Sequence, residues 1–311
     1  MLLSRPLIFF GGKGGVGKTT LAAAYSLASA RAKIRTLLVS TDPAHSTSHL
    51  LGLNLGDEAT EVEANLWGVE IDADAHAGRY IDSVAEDARA VVSPEILPTV
   101  GRHLDIARSA PGMLESALLE RFMDLMEQCP ATYDRIVFDT APTGHALRML
   151  QLPALLSVWV EGLASQREKM ATVERFARNL VGDEEPAEDR LLDKLRARQR
   201  RVEDARRRLL RDATFNLVLN PERLPIEETA RALALLREAE IEVGAIVVNR
   251  ILPDVAEGEF LAARLEQQRT YLQEIDERFS GHRLVRIEQA PHDFASPEQL
   301  EGPAATLASL L

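Results

Sequence analysis

The chain has 311 residues, 46% of them apolar, which is enough to build one large α/β core. Its formal net charge of −12 argues against non-specific attachment to nucleic acid or to an anionic membrane, since both are polyanions. A single cysteine, Cys129, excludes an intramolecular disulfide and any metal site that needs two thiols of one chain.

The N-terminal "MLLSRPLIFF" is apolar but short and runs straight into a glycine-rich segment, so it reads as a strand and not as a signal peptide. No apolar run reaches the roughly eighteen residues of a membrane span, so no stable membrane insertion is expected and a cytoplasmic location is the default. Within "FFGGKGGVGKTT", Gly12 to Thr19 fits G-x-x-x-x-G-K-[ST], with a strand (7–10) before it and the helical "TTLAAAYSLASARA" after it. A loop of this kind turns its N–H groups inward, and the helix N-terminus beneath adds partial positive charge, so together they hold phosphate. The expected cofactors are ATP and Mg2+. Their contacts would come from Gly12, Lys13, Gly14, Gly15, Val16, Gly17, Lys18, Thr19 and Thr20, with Lys18 on the β- and γ-phosphates and Thr19 on the metal.

Further β-type runs follow: "TLLVS" (36–40), "LWGVEI" (66–71), "RIVFD" (135–139), "FNLVLN" (215–220), "GAIVVN" (244–249) and "RLVRI" (283–287). Several are apolar without alternation, and helical patterns separate them. The reading is an α/β fold with a mostly parallel sheet flanked by helices. Asp42 and Asp139 close two of the strands, at the end where ligands collect in a parallel sheet. Asp139 suits Mg2+ through one of its waters. Asp42, one strand away, is a candidate for the metal set and for orienting the attacking water. His45 and His49 are four apart with no third ligand near in sequence, so no metal site is expected there.

The intervals 72–134 and 141–213 are too long for simple crossovers. They read as helical insertions, about 73–132 and 152–212, forming a helical subdomain within a single P-loop domain of residues 1–311. In the first, Leu114, Leu118, Phe122, Met123 and Met126 make one broad apolar face. In the second, Leu155, Leu156, Trp159 and Leu163 do the same. Of the six methionines, all but Met1 lie between residues 113 and 170. Two readings of these faces stand side by side: helix-on-helix core, or a groove for an apolar client, which unbranched Met side chains suit. Cys129 reads as a small buried hydrophobe. In "RLLDKLRARQRRVEDARRRLLRD", Leu195, Val202 and Leu209 give a narrow apolar stripe under a charged, solvated face.

The fuller loop pattern, K-G-G-x-G-K-T-T, resembles the deviant Walker A of the P-loop ATPase group that includes ArsA, MinD, ParA and the nitrogenase iron protein. In that group the early lysine, here Lys13, reaches across a homodimer to the partner's nucleotide. A cation delivered in trans stabilises the charge that phosphoryl transfer spreads over oxygens. "DPAHSTSHLLG" (42–52) and "DTAPTGHALRMLQLP" (139–153) narrow the likeness, and "NPERLPIEET" (220–229) and "VVNRILPD" (247–254) agree. Over most of its length the chain is similar to the ArsA and guided-entry (tail-anchored protein targeting) ATPase family.

That resemblance implies a homodimeric ATPase in which Asp42 is the hydrolytic aspartate of a first switch and residues 139–145 form a second. It puts Asn249 on the adenine edge and the loop at Pro291 against the base, although Asn also often ends a strand at a turn. It places a groove for hydrophobic, tail-anchored membrane-protein segments in the helical insertions. The alternatives are an arsenite pump-driving subunit and a positioning switch of the MinD or ParA class. Arsenite takes three thiolates and the iron protein's cluster needs two cysteines per chain, against one cysteine here. The zinc-sharing C-x-x-C pair of the eukaryotic guided-entry ATPases is absent. The C-terminal "EGPAATLASLL" lacks the basic residues of the MinD tail, and the acidic balance fits poorly with DNA binding.

Overall fold

The computed structural model describes residues 5–41, 45–79, 82, 113–139, 190–254 and 258–311. Asp42, residues 140–145 of the expected second switch, and the second apolar face at Leu155, Leu156, Trp159 and Leu163 lie outside these. By contacts the chain divides into two compact units. One is Met1–Ala73, Leu125–Arg148 and Leu209–Leu311, and the other is Asp74–Asp124 and Met149–Arg208.

The first unit carries eight strands: β1 (Leu7–Gly12), β2 (Thr36–Ser40), β3 (Thr60–Glu63), β4 (Leu66–Glu70), β5 (Arg135–Asp139), β6 (Ala213–Leu219), β7 (Glu242–Ile251) and β8 (Leu284–Glu288). Their order is β3-β4-β2-β5-β1-β6-β7-β8. Every pairing is parallel except β3 with β4. The α/β fold with its mostly parallel sheet is therefore as expected. β3 is the addition: "TEVE" has no apolar run, and it doubles back on β4 through Asn65 at φ 68° as a half-exposed edge strand.

The sheet is organised around β1, which is buried along its whole length between β5 and β6. Phe9 is in register with Phe138 on one side and Phe215 on the other. The three rings form a stacked ladder with centroids 4.6 and 4.7 Å apart. Strand alternation sends Ile8 and Phe10 to the opposite face, where they join the cluster built on helix α1 (Lys18–Arg31). Every residue of α1 from Leu21 to Ala30 is buried, which its run of alanines permits. Its buried hydroxyls are satisfied: Ser26 and Ser29 donate to the carbonyls of Ala22 and Tyr25, at 2.8 and 2.9 Å. Arg135 donates to Ser29 Oγ at 3.0 Å and lies over the Tyr25 ring. Burial pushes the Tyr25 hydroxyl pKa up, with the Arg135 charge pulling against it.

Further helices among the described residues include α2 (Ser46–Leu51), α3 (Met113–Glu127), α4 (Arg190–Asp212), α5 (Arg223–Glu238), α6 (Glu259–Arg278) and α7 (Glu301–Leu307). The C-terminal tail spends its apolar side on the core: Leu300, Ala304, Leu307 and Leu310 are buried in the α1 cluster. The α3 side chains Leu118, Phe122, Met123 and Met126 are also buried, so for these four packing is the reading that holds. On α4, Val202, Ala205 and Leu209 are buried beneath an exposed charged face. Within the second unit, Arg201 joins α4 to α3 by ion pairs to Glu120 and Asp124. No helix among the described residues is long and apolar enough to cross a membrane.

The aromatic ladder sets the expected weak point. Phe9→Ala should cost about 4 kcal/mol in chemical denaturation, and Phe9→Leu under about 2 kcal/mol, because the first leaves a cavity between two rings.

Candidate functional site

The site begins where β1 runs out. Gly12 has φ 153°, and a Cβ there would stand 2.3 Å from the Val218 carbonyl of β6, so only glycine allows β1 to approach that closely before turning away. The chain then loops over the C-terminal end of the sheet and enters α1 at Lys18, with Gly17 as N-cap at φ 97°. The α1 N-terminus thus opens onto the concave side of the loop, with no acidic residue in its first turn. Lys18 folds over its own loop and donates to the Lys13 carbonyl at 3.3 Å. Thr19 faces α2, where Ser46 Oγ donates to its hydroxyl at 3.5 Å.

Asp139 ends β5, buried to 2% exposure, and registers with Phe10 of β1 and Ser40 of β2. Its backbone carbonyl accepts from Thr41 N at 3.3 Å. The carboxylate therefore rises between the root of the phosphate loop and the strand that leads to Asp42.

Beside the loop lies a cleft of about 610 Å³, lined among others by Gly17, Thr19, Thr20, Ser46 and Asn249 and by much of the segment 287–295. Of the loop expected to meet a base, Ala290 and His292 line the cleft, while Pro291 between them is exposed. The resemblance assigns Asn249 to the adenine edge. In the structure its Nδ2 donates to the Val16 carbonyl at 2.8 Å, which uses one N–H of the amide and leaves Oδ1 as its acceptor. Cys129 is buried to 3% exposure and directs its thiol at the Asp134 carbonyl.

One functional candidate had no mention from motifs: Glu70, the last residue of β4. Its side chain is 1% exposed. Its Oε2 accepts from Ser48 Oγ at 2.5 Å and stands 3.1 Å from His45 Nδ1. Ser48 Oγ in turn accepts from Leu55 N, and Glu70 N donates to the Gly56 carbonyl. The histidine spacing suggests no partner for His45, and the structure supplies this carboxylate. Glu70 thus ties α2 and the residue before it, His45 at φ 53°, to the sheet. Its signal was available in "LWGVEID", an acid closing a strand just as Asp139 does.

Taken together, a glycine-rich loop and a helix N-terminus meet at one place, with Lys18, the Thr19 and Ser46 hydroxyls and Asp139 close by in the fold, and a cleft beside them.

The profile of a family described as anion-transporting ATPase matches residues 5–309. A protein of Aquifex aeolicus, provisionally named an arsenical pump-driving ATPase, is 32% identical over 95% of this chain and 96% of its own length. ATPase get3 of Aspergillus terreus is 35% identical over 94% of this chain and 88% of its own. A Halobacterium salinarum protein, also provisionally named an arsenical pump-driving ATPase, is 31% identical, and the chain spans only 43% of its length.

The Glu70 anchor can be weighed directly. Glu70→Ala should lower unfolding free energy by about 2 kcal/mol, as expected for removing hydrogen bonds to a buried charged acceptor. Glu70→Gln, which keeps an acceptor for Ser48, should lose less than half of that. Denaturant midpoints of the two variants against the parent decide it.

Proposed function

The chain belongs to the anion-transporting, ArsA-type ATPase family and is an ATP-hydrolysing enzyme. From that membership we propose that it works as a Mg2+-dependent homodimer which uses ATP to capture and deliver hydrophobic segments of membrane proteins. The observation that carries the nucleotide part is the convergence, at the C-terminal end of the central strands, of loop 12–17, the Thr19–Ser46 contact and the buried Asp139 carboxylate.

The donor set fits the metal, because Thr19 and Asp139 offer a hydroxyl and a carboxylate, the hard oxygen ligands that Mg2+ takes. Thr19 and Asp139 would hold the ion, with Asp42 joining them. When bound, Mg2+ supplies positive charge against the β- and γ-phosphate oxygens. Lys18 leaves the Lys13 carbonyl and turns its ammonium to the phosphates. The amides from Gly12 to Thr20 wrap the same oxygens. Asp42 orients the attacking water, and Lys13 of each protomer completes the partner's site. The base lies further along the cleft, with Asn249 Oδ1 accepting from the adenine amino group and the loop around Pro291 packing beside it.

For the cargo, the single thiol is the discriminating feature. Cys129 is one residue per chain and is buried to 3% exposure, whereas arsenite asks for three thiolates. An apolar client is favoured over the pump-driving role carried in two relatives' names. The second unit, residues 74–124 and 149–208, would receive it.

Lys13→Ala should reduce turnover by at least about 100-fold while leaving ATP affinity within about threefold of the parent, because the lost cation acts in the transition state of the partner's site. Steady-state hydrolysis and equilibrium binding measured together check this, and unchanged turnover would refute the in-trans role. A hydrophobic helical peptide should change turnover of the parent chain. Stimulation by arsenite that vanishes in Cys129→Ala would instead establish the pump-driving role.

A further inference from the structure

Asn249 sits far from the phosphate loop in sequence and against it in space. Its Nδ2 donates to the Val16 carbonyl at 2.8 Å, across a separation of 233 residues, in a buried position. The contact is crowded as well as bonded: a Cβ on Gly17 would meet Nδ2 at 2.4 Å. Below it, Val16 is 1% exposed and its side chain belongs to the α1 core cluster. Residue 16 is thus held from two directions, by core packing on its side chain and by Asn249 on its carbonyl.

The position of Asn249 is itself fixed. β7 pairs with both β6 and β8, and the β7–β8 register shifts between Val248 and Ile251, so Asn249 and Arg250 occupy an irregularity in the ladder. Arg250 there has φ 56°. Irregularities of this kind re-aim side chains at the rims of sheets. Here the side chain so aimed is the amide that meets the loop.

We propose that Asn249 is a positioning residue for the phosphate loop, holding the Val16–Gly17 peptide in its phosphate-binding orientation. A trans peptide is planar, and its C=O and N–H point in opposite directions. Fixing the Val16 carbonyl on Asn249 therefore fixes the Gly17 N–H on the other side, toward the concave face of the loop. An amide already turned inward need not be reoriented when an anion arrives, and binding gains from that preorganisation. This role acts on phosphate and is separate from any contact between Oδ1 and a base. It rests on the reading of loop 12–17 as a phosphate site.

Inorganic tripolyphosphate, which has neither base nor ribose, isolates the effect. Its affinity is measured by calorimetry for the parent chain and for Asn249→Ala, Asn249→Leu and Lys18→Ala. Asn249→Ala removes the donor. Asn249→Leu keeps a branched side chain of similar volume with no donor, so it separates hydrogen bonding from packing and carries the comparison should the alanine variant fail to fold. Both Asn249 variants should bind tripolyphosphate about three- to tenfold more weakly, the range for one net hydrogen bond. Parent-like tripolyphosphate affinity in the leucine variant would overturn the proposal by making the role one of shape. Parent-like affinity in both, with ATP binding weakened, would overturn it by confining Asn249 to the base. If Lys18→Ala binds tripolyphosphate as the parent does, the phosphate-site reading fails, and this inference with it.

Discussion

The site depends on β1 being clamped at the centre of the sheet. A phosphate loop is useful only if its root, the metal-binding acid and the flanking strand ends all finish at the same height. Register sets that height, and in a sheet a slip by one residue turns every side chain to the other face. The Phe138–Phe9–Phe215 ladder spans β5, β1 and β6 in a single row and makes such a slip costly on both sides at once. With Phe9 fixed, Phe10 falls opposite Asp139, and Gly12 falls opposite Val218. The chemistry at the rim follows from three aromatic rings buried beneath it.

The rim is then stiffened by polar groups that have no place in a hydrophobic account of the fold. Glu70 is an acid almost fully removed from water, and such a group is costly unless donors surround it. It accepts from Ser48 and has His45 beside it, which anchors α2 to β4. Asn249 does comparable work on the other flank, where a buried amide grips the loop carbonyl. The two anchors lie on opposite sides of the phosphate loop in strand order, β4 on one and β7 on the other. The loop is thereby framed by elements whose own positions are set by the sheet.

Legibility from sequence divided along the line between local and distant chemistry. The strand, loop and helix of residues 7–31 could be read because glycines, lysine and threonine lie close together in the chain between two recognisable patterns, and the strand-ending Asp139 because an apolar run announces it. Asp139 is where that logic puts it. β3 was not legible, since an edge strand that is half-exposed needs no apolar pattern. The partner of Asn249 was not legible either: no local rule links residue 249 to residue 16. The apolar face of α3 was ambiguous for a different reason. A stripe of Leu, Phe and Met has the same period whether it meets other helices or a client, and only burial separates the two.

The framing also shows which part of the site is left to move. Val16 is held by core and by amide, Gly12 is pressed against β6, and Gly17 is pinned beneath Asn249. Lys18 donates from its ammonium to the Lys13 carbonyl of its own loop at 3.3 Å, a long hydrogen bond. A polyphosphate offers that ammonium charged acceptors, and charge-assisted bonds are about twice as strong as neutral ones. That one bond can therefore be exchanged for a bond to phosphate with little reorganisation of the backbone. The same exchange frees the backbone carbonyl of Lys13, the residue that the family resemblance assigns to the partner's site.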